Sequence, residues 1–150
     1  MYVSTKTITH AHGLSCAFRQ WRAESHCRFI HGYALQVRME FEAYELDARN
    51  WVVDFGGLKD LKKSIENIFD HTLLVAQDDP QLDDLCMLTQ LGVARVIVLP
   101  NVGCEAFAEH IYKMTCDWLD GTDYAGRCRV RRVEVSEHAG NSAIFEMLRA

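Results

Sequence analysis

The clearest pattern in the chain is an alternation of apolar and polar residues from His31 to Tyr44. Period-two alternation is typical of a β-strand with one face buried. One parity begins with His31 and Tyr33 and continues with the apolar residues Leu35, Val37, Met39 and Phe41. The sequence therefore predicts a strand whose apolar face carries two polar rings at its leading end.

Alternation or helical spacing marks the other elements. Further strands are predicted over Thr5–Phe18, Arg129–Glu137 and Ala143–Leu148, with a brief strand-like run at Arg95–Leu99. Apolar residues at helical spacing predict helices over Leu58–Ile68 and Gly103–Leu119, and a short helix is expected within Gln77–Gly92. The main order, two strands, two helices and two strands, predicts an α+β fold with helices on one face of an antiparallel, four-stranded sheet.

Composition narrows the class of protein. The chain has 150 residues, 49% hydrophobic and 25% charged, which predicts one globular domain over residues 1–150. The net charge of −5 argues against nucleic acid as a partner. No apolar run approaches the ~20 residues that span a bilayer, and no signal peptide is recognisable, so we expect a cytoplasmic protein without a membrane partner.

Six cysteines occur, and none forms a C-x-x-C pair, which disfavours a zinc finger or a thioredoxin-type motif. A cytoplasmic chain of this length does not need disulfides. We interpret Cys86, Cys116 and Cys128 as small buried apolar residues.

Candidate chemistry begins with Cys27, which lies among His26, Arg28 and His31. Positively charged neighbours favour the thiolate form of a cysteine, so Cys27 is a candidate base or nucleophile. The alternative interpretation is a buried structural cysteine.

A second candidate is Glu137, which ends the apolar parity of its predicted strand after Val133 and Val135. A buried carboxylate is costly unless it is paired or hydrogen-bonded, and a ligand with adjacent N–H groups would satisfy it. The alternative is a strand end that turns to solvent.

Asp70 and His71 follow the first predicted helix. They are either a carboxylate–imidazole pair for proton transfer or a helix C-terminus at which the dipole favours a histidine. Glu105, near the start of the last helix, fits an ordinary favourable charge at that position.

In this order the motifs resemble the 6-pyruvoyl-tetrahydropterin synthase and 6-carboxy-tetrahydropterin synthase (QueD) family. The family pattern C-x-x-x-H-G-H is similar to Cys27-Arg-Phe-Ile-His-Gly-Tyr33, and the pattern D-F before a helix to Asp54-Phe55. The remaining matches are Asp70-His71, Gly103-Cys104-Glu105 and Glu137-His138.

The resemblance implies a tunnelling fold whose protomers form trimeric barrels that stack into a hexamer, with the site between protomers. It implies a lyase that makes 6-carboxy-tetrahydropterin from 7,8-dihydroneopterin triphosphate for queuosine biosynthesis. The alternatives are the 6-pyruvoyl reaction and a pterin-binding paralogue without turnover.

The resemblance also implies roles for single residues. Glu137 would hold the amino-pyrimidine edge of the pterin, Cys27 would be the base, and Asp70 with His71 would assist proton transfer. Cys104 and Glu105 would join Glu137 in binding the substrate. Three arginines are expected either to contact phosphate or to be solvated surface residues: Arg19, Arg22 and Arg28.

The family binds zinc through three histidines, and this chain departs from that pattern. His31 matches one ligand, but Tyr33 stands at the second. The third position falls on Cys16 in an ungapped match or on His12 in a gapped one, and we prefer Cys16. Either residue type can bind zinc.

Overall fold

The structure of the protein is a computed structural model that describes residues 1–148. Residues 149–150 of the predicted domain lie outside the described part. Seven strands are present there: β1 (Tyr2–Ile8), β2 (Leu14–Phe18), β3 (His31–Ala43), β4 (Thr72–Ala76), β5 (Val96–Leu99), β6 (Cys128–His138) and β7 (Asn141–Phe145). The α-helices are α1 (Lys59–Phe69), α2 (Leu82–Gln90) and α3 (Cys104–Asp120). Short 3-10 helices span His10–His12, His26–Arg28 and Phe55–Leu58.

The predicted strand Thr5–Phe18 is wrong in one respect, because the chain breaks it into β1 and β2. The 3-10 turn His10–His12 lies between them and ends at Gly13, whose φ of 62° favours glycine. The break allows β1 and β2 to pair side by side with successive halves of β3.

The α+β class is confirmed, but the antiparallel four-stranded sheet with two helices is corrected. Along the described chain the seven strands run in the order β5-β4-β2-β3-β6-β7, with β1 beside β3. β4 is parallel to both β2 and β5, so the sheet is mixed. Parallel neighbours need a crossover connection, and α1 and α2 lie in the two crossovers.

The core lies between the apolar face of β3 and helices α1 and α3. Phe69 of α1 and Phe18 of β2 each pack against Phe107 of α3, with ring centroids 5.2 and 5.0 Å apart. Further along, Phe41 of β3 contacts Trp118. Asp54, predicted to start a helix, accepts a 2.8 Å hydrogen bond from the backbone N–H of Gly56. None of the helices over residues 1–148 is long and apolar enough to cross a membrane.

Candidate functional site

The first half of β3 pairs with β2 and sets the site's geometry. This register places Cys16 opposite Tyr33 and Phe18 opposite His31. Gly32 is required between the two rings, because a Cβ there would lie 2.6 Å from the carbonyl oxygen of Cys16. The alternation of β3 thus brings both polar rings and the Cys16 thiol to one face.

The rings of this face form an aromatic cluster, which consists of Phe18, His31, Tyr33 and His138. His31 lies 5.6 Å from Phe18 and 5.5 Å from Tyr33 between ring centroids, and Tyr33 lies 6.2 Å from His138. The Nδ1 atom of His31 is 2.7 Å from the carbonyl oxygen of Phe29, which fixes the imidazole orientation.

Tyr33 is the residue around which the predicted binding and catalytic groups gather. Burial, followed by the charge of Glu137 and then of the Cys27 and Cys104 thiols, raises the pKa of its hydroxyl. Glu137 and Cys27 lie 110 positions apart in the sequence, yet both affect the pKa of one phenol. Cys27, Cys104 and Glu137 therefore each lie within electrostatic range of Tyr33 in a single protomer.

Cys104 lies near Glu137. Burial, followed by the nearby carboxylates of Glu137 and Glu105, raises the pKa of Cys104 to about 12, so the thiol keeps its proton. Between the described residues Glu137 has no ion pair. The proximity of Cys104 and Glu137 agrees with the resemblance, which implied that both bind the substrate.

Asp70 and His71 form the predicted carboxylate–imidazole pair. The Nδ1 atom of His71 is 2.9 Å from Oδ1 of Asp70, and the same carboxylate oxygen accepts a 3.1 Å hydrogen bond from the backbone N–H of Ser15. His71 has a positive φ of 57°, outside helix α1. A strained backbone at an exposed imidazole is a feature of functional sites.

His71 faces a cavity that differs from the surroundings of Glu137. The cavity has a volume of about 650 Å³ and is lined by β2, β3, β4 and the segment around Val93. Its walls include Tyr33 and His71, whereas Cys27, Cys104 and Glu137 are absent from its described lining. Within residues 1–148, this cavity is therefore lined by His71 but not by Glu137.

Two of the three arginines expected at phosphate already have partners. Arg19 makes two hydrogen bonds of 2.6 and 2.8 Å to the buried carboxylate of Asp79. Arg22 pairs with Asp78 at 2.8 Å and stacks on Trp21. Arg28 is exposed in its 3-10 turn. The sequence analysis missed these ion pairs, because the aspartates lie more than fifty positions away.

The predicted zinc ligands do not fit a three-donor site. Catalytic zinc is held by three protein ligands, yet no three His, Cys, Asp or Glu side chains of residues 1–148 are placed to hold a metal ion. His12 is exposed in the 3-10 turn, with Nδ1 2.8 Å from the Thr9 hydroxyl, beyond the end of β2 that is remote from His31. Cys16 does share the face of His31, but the register adds only Phe18 and Tyr33 there.

Comparison with known proteins identifies relatives. The profile of a family described as 6-pyruvoyl tetrahydropterin synthase matches residues 7–147. A 6-carboxy-5,6,7,8-tetrahydropterin synthase of Rickettsia conorii is 38% identical over 60 residues, which are 39% of this chain and 44% of that protein. Its counterpart in Rickettsia felis is 37% identical over the same shares. The chain thus spans less than half the length of these curated relatives.

Solved structures share the fold at lower identity. An uncharacterized protein of Wolinella succinogenes superposes with a TM-score of 0.82 over 97% of both chains at 20% identity. The 6-pyruvoyl tetrahydropterin synthase of Plasmodium falciparum superposes with a TM-score of 0.65 over 98% of this chain and 99% of that chain at 18% identity.

Proposed function

The chain belongs to the 6-pyruvoyl tetrahydropterin synthase family, and on that premise we propose that it is a lyase acting on 7,8-dihydroneopterin triphosphate. The product proposed is 6-carboxy-tetrahydropterin, the compound for which the curated relatives are named, and the pathway proposed is that to queuosine.

The observation that carries the proposal is the state of Glu137. Glu137 is half-buried at the end of β6, near Tyr33 and the Cys104 thiol, and has no ion pair with a cation among residues 1–148. A carboxylate can accept two parallel N–H bonds. The amino-pyrimidine edge of a pterin offers such a pair of donors, so Glu137 can anchor it.

Cys27 is the proposed base, because its thiol lies close enough to affect Tyr33 beside this anchor. The proposed proton-transfer pair, Asp70 and His71, faces the separate cavity. We therefore propose that a neighbouring copy of the chain, in a trimer or hexamer, supplies this pair to the site. The exposed side chains of Ile30 and Val93 at the cavity offer apolar surface to that copy.

The test is product analysis by mass spectrometry with 7,8-dihydroneopterin triphosphate, with and without added zinc. We expect 6-carboxy-tetrahydropterin from the wild-type protein and a loss of at least about 100-fold in rate for Cys27→Ala. Cys86→Ala, on helix α2, is the matched control and should keep the wild-type rate. Full activity of Cys27→Ala would show that another group is the base, and 6-pyruvoyl-tetrahydropterin as product would favour the related reaction.

A second candidate function, pterin binding without turnover, is favoured by Tyr33 at the position of a family metal ligand. It predicts calorimetric binding of 7,8-dihydroneopterin together with unchanged substrate in the mass-spectrometric assay. Absence of both binding and turnover would contradict the two candidates together.

A further inference from the structure

We propose that the position at which the resemblance places zinc is metal-free in this chain, and that the Tyr33 hydroxyl contacts the bound ligand there instead. The inference rests on the proposed pterin site for its ligand, whereas its statement about metal rests on the side chains alone. Strands β2 and β3 place the candidate metal donors on one face.

His31 supplies one donor and no more. Its Nδ1 atom is engaged with the carbonyl oxygen of Phe29, which leaves Nε2 as the free ring nitrogen. The residue directly opposite on β2 is Phe18, whose ring packs 5.6 Å away between centroids and offers no ligand atom.

Cys16 is the second and last of the predicted donors on this face. It is 4% exposed and lies opposite Tyr33 across the two strands. His138, the other imidazole of the aromatic cluster, has both ring nitrogens engaged: Nδ1 accepts a 3.0 Å hydrogen bond from the backbone N–H of Gly140, and Nε2 lies 3.3 Å from the side-chain nitrogen of Asn141. The two protein ligands that remain are one fewer than catalytic zinc sites use. This count agrees with the finding that no group of three donors able to hold a metal occurs in the part of the chain that the structure describes.

Tyr33 occupies the remaining ligand position, the second in the family pattern. Its ring is fixed by contacts with Phe18, His31 and His138, at centroid distances of 6.3, 5.5 and 6.2 Å. A phenol offers one O–H donor. His138, the residue that follows Glu137, packs its ring 6.2 Å from that of Tyr33 between centroids, so the end of β6 that carries Glu137 lies beside Tyr33. A ligand held by Glu137 would therefore meet the Tyr33 O–H at an acceptor atom.

The first test is titration with Co²⁺, followed by absorption spectroscopy and calorimetry. We expect no one-to-one binding by the wild-type protein. Tyr33→His should gain a site with a thiolate-to-cobalt charge-transfer band, because the new imidazole joins His31 and Cys16 on one face. The band should vanish in the double variant Tyr33→His with Cys16→Ala.

Two outcomes would overturn the metal part of the inference. One is tight one-to-one binding of Co²⁺ or Zn²⁺ by the wild-type protein that His31→Ala abolishes. The other is a Tyr33→His variant that melts like the wild type yet gains no cobalt, since Tyr33 would then not occupy a ligand position.

The second test measures the affinity for 7,8-dihydroneopterin by calorimetry. Loss of one hydrogen bond in Tyr33→Phe should weaken binding about tenfold at an unchanged melting temperature. Tyr2→Phe, on the exposed end of β1, is the matched control and should bind as the wild type does. Equal affinities of Tyr33→Phe and wild type would overturn the ligand contact. If the wild type itself binds no dihydroneopterin, the proposed function fails, while the cobalt result still decides the metal part.

Discussion

Strand β3 pairs with β1 and β6 over its second half and with β2 over its first, and nearby carboxylates meet different partners in the two regions. In the second half, Glu40 and Glu42 are only 4% and 3% exposed. Their partners come from β3 and β6: Arg38, Arg129, Arg131 and Arg132. We call this set the arginine-matched half.

We call the region of the β2–β3 pairing, with Glu137 beside it, the site half. Its carboxylate, Glu137, has different neighbours. Glu137 lies near the neutral Cys104 thiol, and no ion pair to it occurs within residues 1–148. An arginine of the same protomer would occupy the oxygen atoms of a carboxylate with charge-assisted hydrogen bonds. The comparison shows that arginines of the same protomer pair with Glu40 and Glu42 but not with Glu137, which agrees with the proposed role of Glu137 in ligand binding.

The largest expected effect is on binding at the site half. Glu137→Gln should weaken 7,8-dihydroneopterin binding by at least about 100-fold, or about 2.7 kcal/mol, because charge-assisted hydrogen bonds are lost. Calorimetry measures the affinity, and urea denaturation should show unchanged stability. Glu134→Gln, on the same strand, is the control. A similar loss of affinity in both variants would break the comparison.

The next largest expected effect is on stability, from a substitution that disturbs the backbone of the site half. Gly32→Ala should lower the free energy of unfolding by about 2–3 kcal/mol, since its Cβ would lie 2.6 Å from the Cys16 carbonyl oxygen and force the strands apart. Urea denaturation measures the change. Gly57→Ala, whose Cβ would meet nothing closer than 3.9 Å, should have a much smaller effect. An unchanged stability of Gly32→Ala would disprove the close approach of β2 and β3.

A substitution in the arginine-matched half should lower stability and leave pterin affinity unchanged, which is the opposite of what we expect for Glu137. Glu40→Gln should cost about 2 kcal/mol of stability, because it leaves a cluster of arginines without one of its anions, while pterin affinity stays unchanged. The same urea and calorimetric measurements apply. Glu66→Gln, in the exposed pair with Lys62, should change stability by less than about 0.5 kcal/mol. A Glu40→Gln variant that loses pterin affinity at full stability would reverse the assignment.

A smaller, pH-dependent effect is expected at Asp79, which ties the loop after β2 to the loop after β4. The hydrogen bond from Arg19 holds the pKa of Asp79 below its usual value. Its stabilisation is therefore complete above the unfolded-state pKa of about 3.9 and is lost as pH falls through the lower folded value.

At pH 7, Asp79→Asn should lower the free energy of unfolding by about 1.5 kcal/mol. The difference from wild type should shrink as the pH falls below about 4. Denaturation curves recorded across this range measure it, with Asp78→Asn, in the more exposed pair, as the control. A difference that stays constant down to the acid limit would show that the Asp79 charge does not matter.

Much of the local structure could be predicted, because the periodicity of apolar residues and the capping of helices act over short distances along the chain. The strand from His31, the helix that became α3 and the strand ending at Glu137 all appear close to their predicted bounds. The single strand Thr5–Phe18 was wrong, since alternation continues in sequence across a turn that Gly13 closes. The parallel pairing of β4 left no local signal, because it depends on crossovers through two helices.

The sequence by itself determined the class of elements, the family resemblance and the residues worth testing, because motif order and residue type are written along the chain. Only the tertiary structure decided that Cys104 lies near Glu137, that Phe18 faces His31 and that arginines cover Glu40. These are contacts between residues far apart in sequence, and their energies depend on register and burial. No local pattern encodes either of those.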